Sequence, residues 1–296
     1  MVRIFCRIIN KVYYYILRVH NYLLIVFKSY PNVLDSHQSL SIIIEEELSV
    51  SRFGDGELMI IRGTGWGFQK YDRELANRLF EILKSDDPSV AICIPDVFKD
   101  KSRFTETARQ FWHNHILNNL FHWNKYTLKD KLYFDTQFSR FYMDLKDKDR
   151  FPERSLYLLK KIWHDKHLLI IEGAGSRLGY KNDLFDNAKS INRILCPAEN
   201  AFSKYFEILE LAKKYASNKL VLIALGMTAT VLSFDLARKG FRAIDIGHID
   251  IEYEWYIMKA IKKVPVKYRY MNEVSCREFV DLQDETFVSQ ILGEVK

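Results

Sequence analysis

The sequence predicts an α/β fold in which a mostly parallel sheet carries helices on both faces. In the second half of the chain, short apolar runs alternate with helical patterns, which is typical of parallel sheets. Hydrophobic residues make up 48% of the 296 residues and aromatic residues 14%, enough for a sizeable core. No composition break divides the chain, so residues 35–296 are expected to form one domain behind a basic N-terminal helix over residues 1–34.

In the first half of the chain, the predicted strands and helices alternate less regularly. After the N-terminal helix, a short helix is expected to end near Ser49, followed by extended residues and a Gly-Asp-Gly turn. The remaining expected elements are a helix over 72–85 capped by Asp72, a buried strand within 89–96, and helices over 103–122 and 153–165.

The second half repeats a strand, a loop and a helix. Strands are expected to begin near His167, Ser190, Lys219 and Phe241, with helices over 203–216 and before Gly240. Ligands of such sheets bind where loops leave the carboxyl ends of the strands. Four loops are expected there, namely 172–177, 197–200, 226–230 and 245–250.

The N-terminal segment has an unusual charge pattern. Residues 1–34 contain five basic residues and no acidic one, and its uninterrupted apolar runs are shorter than the roughly 20 residues of a spanning helix. A secretory signal pattern is also missing. Its basic residues recur along one helical stripe between aromatic and aliphatic residues, which suits a helix lying on an anionic membrane through residues 1–33. Packing on the protein's own surface or in an oligomer contact is the alternative.

Cysteine usage and charge exclude other classes. The four cysteines, Cys6, Cys93, Cys196 and Cys276, show no metal-binding or disulfide spacing, which fits a reducing cytoplasm. The net charge of +6 is concentrated in the N-terminal helix, and no nucleic-acid-binding motif is present. A nucleic-acid partner is therefore not expected.

The stretch Arg-Phe-Gly-Asp-Gly-Glu at 52–57 is the first candidate site. Asp55 and Glu57 lie two positions apart, and in an extended or turn segment such side chains can point the same way. Gly54 and Gly56 would leave room for a ligand near the backbone. Two carboxylates suit Mg²⁺ or Mn²⁺ that also binds phosphates and water. An ordinary polar turn is the alternative.

Three further candidates fall in the strand-end loops. Arg177 and Asn182 follow a glycine-containing loop whose amides would suit a diphosphate, and Thr228 or Thr230 would either cap a helix or bind phosphate. The local sequence matches neither a Walker loop nor a dinucleotide fingerprint. His248 lies among acidic residues past a strand, which favours a general base, although a lone histidine is often structural.

Five segments together resemble the GT-D fold glycosyltransferases, in the order of that family. They are 51–57, 134–144, 172–202, 224–255 and 267–274. The chain departs from the family pattern at Met227, where proline is expected, and at Ala174-Gly175, where a charged or polar residue is more usual. The resemblance implies a Rossmann-like fold and transfer of a sugar from a nucleotide diphosphate sugar, UDP-glucose or a similar UDP-hexose, to a glycan.

The resemblance implies the role of two residues, and the chemistry of sugar transfer suggests the roles of the others. The family's D-x-E motif, which assists metal binding, falls on Asp55 and Glu57, so Mn²⁺ or Mg²⁺ is the expected cofactor. His248 is the expected base, with Asp250 orienting or replacing it. The residues expected to bind the nucleotide sugar are Arg52, Gly54, Arg177, Asn182, Thr228 and Thr230.

Two functional hypotheses follow. The first is a cytoplasmic enzyme, peripheral on the inner face of the membrane, that builds a cell-surface polysaccharide or a glycoprotein glycan on a glycan, glycolipid or glycoprotein acceptor. The second is a non-catalytic nucleotide- or glycan-binding partner of another glycosyltransferase. Retention of both carboxylates and the histidine favours the enzyme.

Overall fold

A computed structural model describes residues 2–271 and 284–296, with side chains from residue 11 onward. Its nine strands form one sheet in the order β1-β4-β3-β2-β8-β7-β5-β6-β9, and every pair of neighbours is parallel. The predicted parallel sheet is thus confirmed. The strands are β1 Asn32–Val33, β2 Ser49–Arg52, β3 Val90–Ile94, β4 Leu132–Asp135, β5 His167–Gly173, β6 Ser190–Cys196, β7 Leu220–Ala224, β8 Ala243–Asp245 and β9 Ile291–Glu294.

Helices cover both faces of the sheet, because the central strands are apolar on both sides. Along β5, Leu169 and Ile171 belong to one buried cluster and Leu168 and Ile170 to the other, and β3 and β7 alternate in the same way. The helices are α1 Val2–Val26, α2 Ser36–Glu45, α3 Asp55–Ile61, α4 Arg73–Leu83, α5 Glu106–Tyr126, α6 Arg150–Trp163, α7 Tyr205–Tyr215, α8 Met227–Ala237, α9 Ile249–Ile257 and α10 Glu285–Ser289. Helices α4, α5, α7 and α8 contribute to the first cluster, and α2, α6 and α9 to the second.

The predicted N-terminal helix is present as α1, and its last turns pack against α5. Asn21 is fully buried there, where its side chain donates to the carbonyl of Leu117 and accepts from the amide of Phe121. Among the described residues, no helix combines the length and apolar character that crossing a bilayer requires. A row of apolar and aromatic side chains nevertheless stays exposed on α1, namely Val12, Tyr13, Tyr15, Ile16, Val19, Tyr22 and Val26.

The structure differs from the prediction in two respects. The Gly-Asp-Gly segment begins helix α3 instead of a turn. The short strands β1, β4 and β9 extend the sheet at its two edges although their sequences gave no strand signal. Cys93 and Cys196 are buried and free, while Cys6 and Cys276 lie outside the residues whose side chains are described, as do residues 272–274 of the last family-like segment.

Candidate active site

A cavity of about 890 Å³ opens at the carboxyl ends of the strands, where the sequence placed the site. The loops after β2, β4, β5, β6, β7 and β8 line it, together with the first half of α5. It brings together six of the predicted residues, namely Arg52, Gly54, Asp55, Glu57, His248 and Asp250. The other four, Arg177, Asn182, Thr228 and Thr230, are not among its lining residues.

Asp55 and Glu57 occupy the first turn of α3. The amide of Gly54 donates to Glu57 Oε2 at 2.7 Å, an arrangement in which the third helical residue reaches back to the residue before the helix. Helical residues two apart point in directions about 200° apart. The extended or turn segment on which the expected shared direction rested is thus a helical turn, and both residues line the cavity.

Two carboxylates at this turn have raised pKa values. Burial raises the pKa of Glu57 to about 7, and the neighbouring charges of Asp245 and Asp55 raise it as well. Burial also raises the pKa of Asp245 to about 6, against the opposing effect of Arg52. Sequence reasoning missed Asp245 as a site residue; its signal was an aspartate at the end of a buried strand.

A divalent cation fits these acidic residues. A cation would offset the cost of burying these negative charges, and oxygen ligands are the ones Mg²⁺ and Mn²⁺ accept. Within residues 2–271 and 284–296, no cluster of three or more His, Cys, Asp or Glu side chains has metal-binding geometry. If Asp55 and Glu57 hold the ion, phosphate and water would supply the remaining ligands.

Arg52 lines the cavity and is held by several contacts. It forms an ion pair with Asp245 at 3.3 Å, and its Nε donates to the carbonyl of Thr136 at 3.3 Å. Gly247 lies against its guanidinium with φ of +47°, and a Cβ there would come within 1.9 Å of Arg52 Nη1. Thr230 fixes the backbone of the same residue, because its hydroxyl donates to the Arg52 carbonyl at 2.8 Å.

The loop after β5 uses its amides internally. The amide of Leu178 donates to Glu172 at 2.7 Å, and the amide of Gly179 donates to Asp250 at 2.7 Å. Asn182 also donates to Asp250, at 2.9 Å. These contacts hold the loop in place, and the role of Asn182 in binding the nucleotide sugar stays a prediction. Arg177 likewise contacts the protein, donating to the carbonyl of Tyr268 at 3.1 Å.

Asp250 is a buried ion-pair partner. Besides the loop contacts, its carboxylate accepts from Arg269 Nε at 2.7 Å, and both side chains are almost fully buried. These donors engage both oxygens of the Asp250 carboxylate within the protein. His248, the residue immediately before α9, lines the cavity and remains the better candidate for a base.

Neither Thr228 nor Thr230 caps helix α8, because both lie within its first turn. Gly226 occupies the N-cap position with φ of +55°, and a Cβ there would lie 2.3 Å from the ring of Phe68. Thr228 is fully buried, and its hydroxyl has no hydrogen-bond partner within the described part of the chain. Its role in binding the nucleotide sugar stays a prediction.

Aromatic side chains form a part of the cavity wall that sequence reasoning missed. These side chains come from segments that are distant in sequence and meet only in the fold, so no local sequence pattern predicts that they share a site. They are Trp66, Phe68, Phe111, Trp112 and Tyr270.

Replacing Glu57 by glutamine is expected to stabilise the protein above neutral pH. The raised pKa means that the folded state holds this proton more tightly than the unfolded state, so stability is lost as the pH rises from about 4.5 to 7. Glu57→Gln removes this loss and keeps an acceptor for Gly54. Its free energy of unfolding should exceed that of the wild type by roughly 1–3 kcal/mol at pH 8.

Urea unfolding at pH 5 and pH 8 measures this effect. At pH 5 the difference should shrink, since Glu57 is then protonated in the folded state. If Glu57→Gln were destabilised relative to the wild type by the same amount at both pH values, the raised pKa of Glu57 could not be the cause.

Known proteins provide an independent comparison. The family model described as Glycosyltransferase GT-D fold matches residues 50–274. "Probable glycosyl transferase Gly" of Streptococcus gordonii is 41% identical over 267 residues, which are 89% of this chain and 39% of that protein. "Glycosyltransferase GlyD" of Streptococcus pneumoniae serotype 4 is 39% identical over 260 residues, 87% of this chain and 32% of that protein. The chain thus spans between about a third and two fifths of these relatives.

Solved structures agree in both fold and sequence. A structure described as "The highly conserved domain of unknown function 1792 has a distinct glycosyltransferase fold" superposes with a TM-score of 0.88 at 40% identity, covering 93% of this chain and all of that one. A structure from Streptococcus sanguinis, described as "A New Glycosyltransferase (DUF1792)", gives 0.85 at 41% identity, covering 90% of this chain and all of that one.

Proposed function

The chain belongs to the family of glycosyltransferases with the GT-D fold, and from that premise we propose that it transfers a sugar from a UDP-hexose such as UDP-glucose to a glycan acceptor. The observation that carries the proposal is the strand-end cavity, in which Asp55, Glu57, Arg52 and His248 meet. It is large enough for a nucleotide sugar, since binding pockets of small molecules measure about 300–1,000 Å³.

The carboxylates have the first role in this chemistry. Asp55 and Glu57 would hold Mn²⁺ or Mg²⁺, which when bound supplies a Lewis acid for the departing diphosphate. Arg52, which lines the cavity beside them, donates charge-assisted hydrogen bonds to the same phosphate oxygens. Arg177 donates to the carbonyl of Tyr268 and so supports the loop. We favour this structural role over the expected contact with phosphate.

His248 has the second role. The acceptor hydroxyl is a weak nucleophile, and His248 accepts its proton as the oxygen attacks the anomeric carbon. Asp250 positions the adjoining loop through Arg269, Gly179 and Asn182. One direct displacement of this kind inverts the anomeric centre.

A thermal-shift screen tests the proposal. UDP, GDP, CMP and their sugars are compared with and without Mn²⁺, because a ligand of the folded state raises the melting temperature. A Mn²⁺-dependent shift with UDP or a UDP-hexose is expected. No shift with any nucleotide would refute nucleotide-sugar transfer and favour the alternative, a glycan-binding partner of another glycosyltransferase.

We also propose that α1 lies on the inner face of the membrane, where the acceptor is a cell-surface glycan, glycolipid or glycoprotein. Residues 1–34 carry no acidic side chain, and the exposed face of α1 is rich in tyrosine, valine and isoleucine. Such a helix binds by apolar burial together with attraction to anionic lipids.

Vesicle sedimentation tests the membrane proposal. The full chain should co-sediment with phosphatidylglycerol vesicles at low salt and much less with phosphatidylcholine vesicles. Tyr15→Glu, on the exposed face of α1, should weaken binding, whereas Tyr157→Glu, equally exposed on α6, should not. Equal binding of both variants would contradict a role of α1.

A further inference from the structure

The segment 134–144 has no role in the chemistry described so far, although it forms one end of the cavity. It follows β4, which lies on the opposite side of β2 and β8 from the loops after β5 and β6. We propose that this end binds the acceptor sugar, with Thr136, Gln137 and Phe111 at its centre, while the nucleotide occupies the end near β5 and β6. The inference rests on the proposed function and assigns the place of its second substrate.

The backbone of this segment is fixed in place. Asp135 accepts from the amide of Gln137 at 2.9 Å, and Glu252 accepts from the amides of Tyr142 and Met143 at 2.9 and 2.8 Å. Both carboxylates are fully buried. A backbone held from two sides makes a preorganised wall, which lowers the cost of ordering a binding site.

Two buried oxygens in this wall lack donors. Thr136 Oγ1 and Gln137 Oε1 are shielded from water, and neither has a hydrogen-bond partner among the residues the structure describes. Both residues line the cavity. Unpaired buried acceptors are costly, and a sugar hydroxyl entering beside them would give each oxygen the donor it lacks.

Aromatic rings supply the apolar part of the subsite. Phe111 is 48% exposed and lines the cavity from α5, with its ring edge-on to Trp112 at 5.0 Å. A pocket with aromatic walls and a few fixed polar groups is typical of small-molecule sites. The C–H face of a hexose packs on such rings while its hydroxyls meet the polar groups.

The charges of this end favour a neutral ligand. Arg140 and Asp144 line the cavity beside Thr136 and Gln137, so one cation is accompanied by one anion. These two side chains offer no net positive charge to a diphosphate, whereas a sugar hydroxyl can donate to Asp144.

Saturation-transfer NMR with methyl β-glucoside and methyl N-acetyl-β-glucosaminide tests this subsite on the full chain saturated with UDP and Mn²⁺. At least one glycoside should receive saturation in the presence of UDP. Phe111→Ala should reduce that signal at least about fivefold, the loss of one aromatic contact. Phe206→Ala, also exposed but on α7, should leave it unchanged. The UDP-induced thermal shift should persist in both variants.

Three results would overturn the proposal: displacement of the glycosides by UDP, equal signals in the two variants, or no signal from either glycoside while UDP binds. The absence of any UDP-induced thermal shift would instead refute the proposed function itself.

Discussion

Asp55→Asn is expected to lower the metal-dependent release of UDP from UDP-glucose by at least about 100-fold. The substitution keeps the size and first-turn position of the side chain but removes a negative charge from the proposed metal site. Loss of Lewis-acid stabilisation is worth several kcal/mol of barrier, and each 1.4 kcal/mol is about tenfold in rate. Initial rates over a range of Mn²⁺ concentrations measure the effect.

The appropriate control is Glu74→Gln. Glu74 also lies in the first turn of a helix, α4, but it is exposed and does not line the cavity. It should keep wild-type rates. Unchanged turnover in Asp55→Asn at low Mn²⁺ would show that this carboxylate holds no metal.

His248→Ala is expected to lower the transfer rate by about 10²–10⁴, the usual contribution of a general base. His248 lines the cavity after β8, whereas the neighbouring Asp250 is committed to Arg269. The UDP-dependent thermal shift should stay, because the variant removes the base and leaves Asp55 and Glu57 intact. A histidine that only shapes the loop would alter UDP binding as well.

His113→Ala serves as the matched control, since His113 is exposed on α5 and does not line the cavity. Turnover of His248→Ala within a few-fold of the wild type would end the assignment of the base.

The position of the cavity could be predicted because it follows from topology alone. Parallel strands all end at one edge of the sheet, so the loops that follow them lie on the same side of the molecule. The loops after β2 and β8 lie next to each other because these two strands are neighbours in the sheet. The start of α3 was missed because Gly-Asp-Gly is a common turn sequence. The helix begins there with one half of a capping box, in which Glu57 accepts from the amide of Gly54.

The roles within the loops could not be predicted, because they depend on contacts between distant segments. Asp250 is paired by Arg269, and Glu172 by Arg193, through buried ion pairs. Buried charges need such partners. Once paired, these groups hold the loop after β5, and they use the amides that its glycine-containing sequence suggested for phosphate.

The aromatic wall illustrates the same limit. Trp66 and Phe111 come from segments with no shared motif, and only the fold brings them to one cavity. Gly226 is a more readable feature of the sequence than the aromatic residues, because a glycine at a helix start often permits close approach of another group. Here that group is the ring of Phe68.

Calorimetric titration of UDP into the full chain, with Mn²⁺ and then with excess EDTA, tests the central claim most directly. We expect binding with Mn²⁺, at least tenfold weaker binding or none in EDTA, and the same loss for Asp55→Asn in the presence of Mn²⁺. Equal UDP affinity in Mn²⁺ and EDTA, or wild-type affinity of Asp55→Asn, would contradict a metal-anchored diphosphate in this cavity.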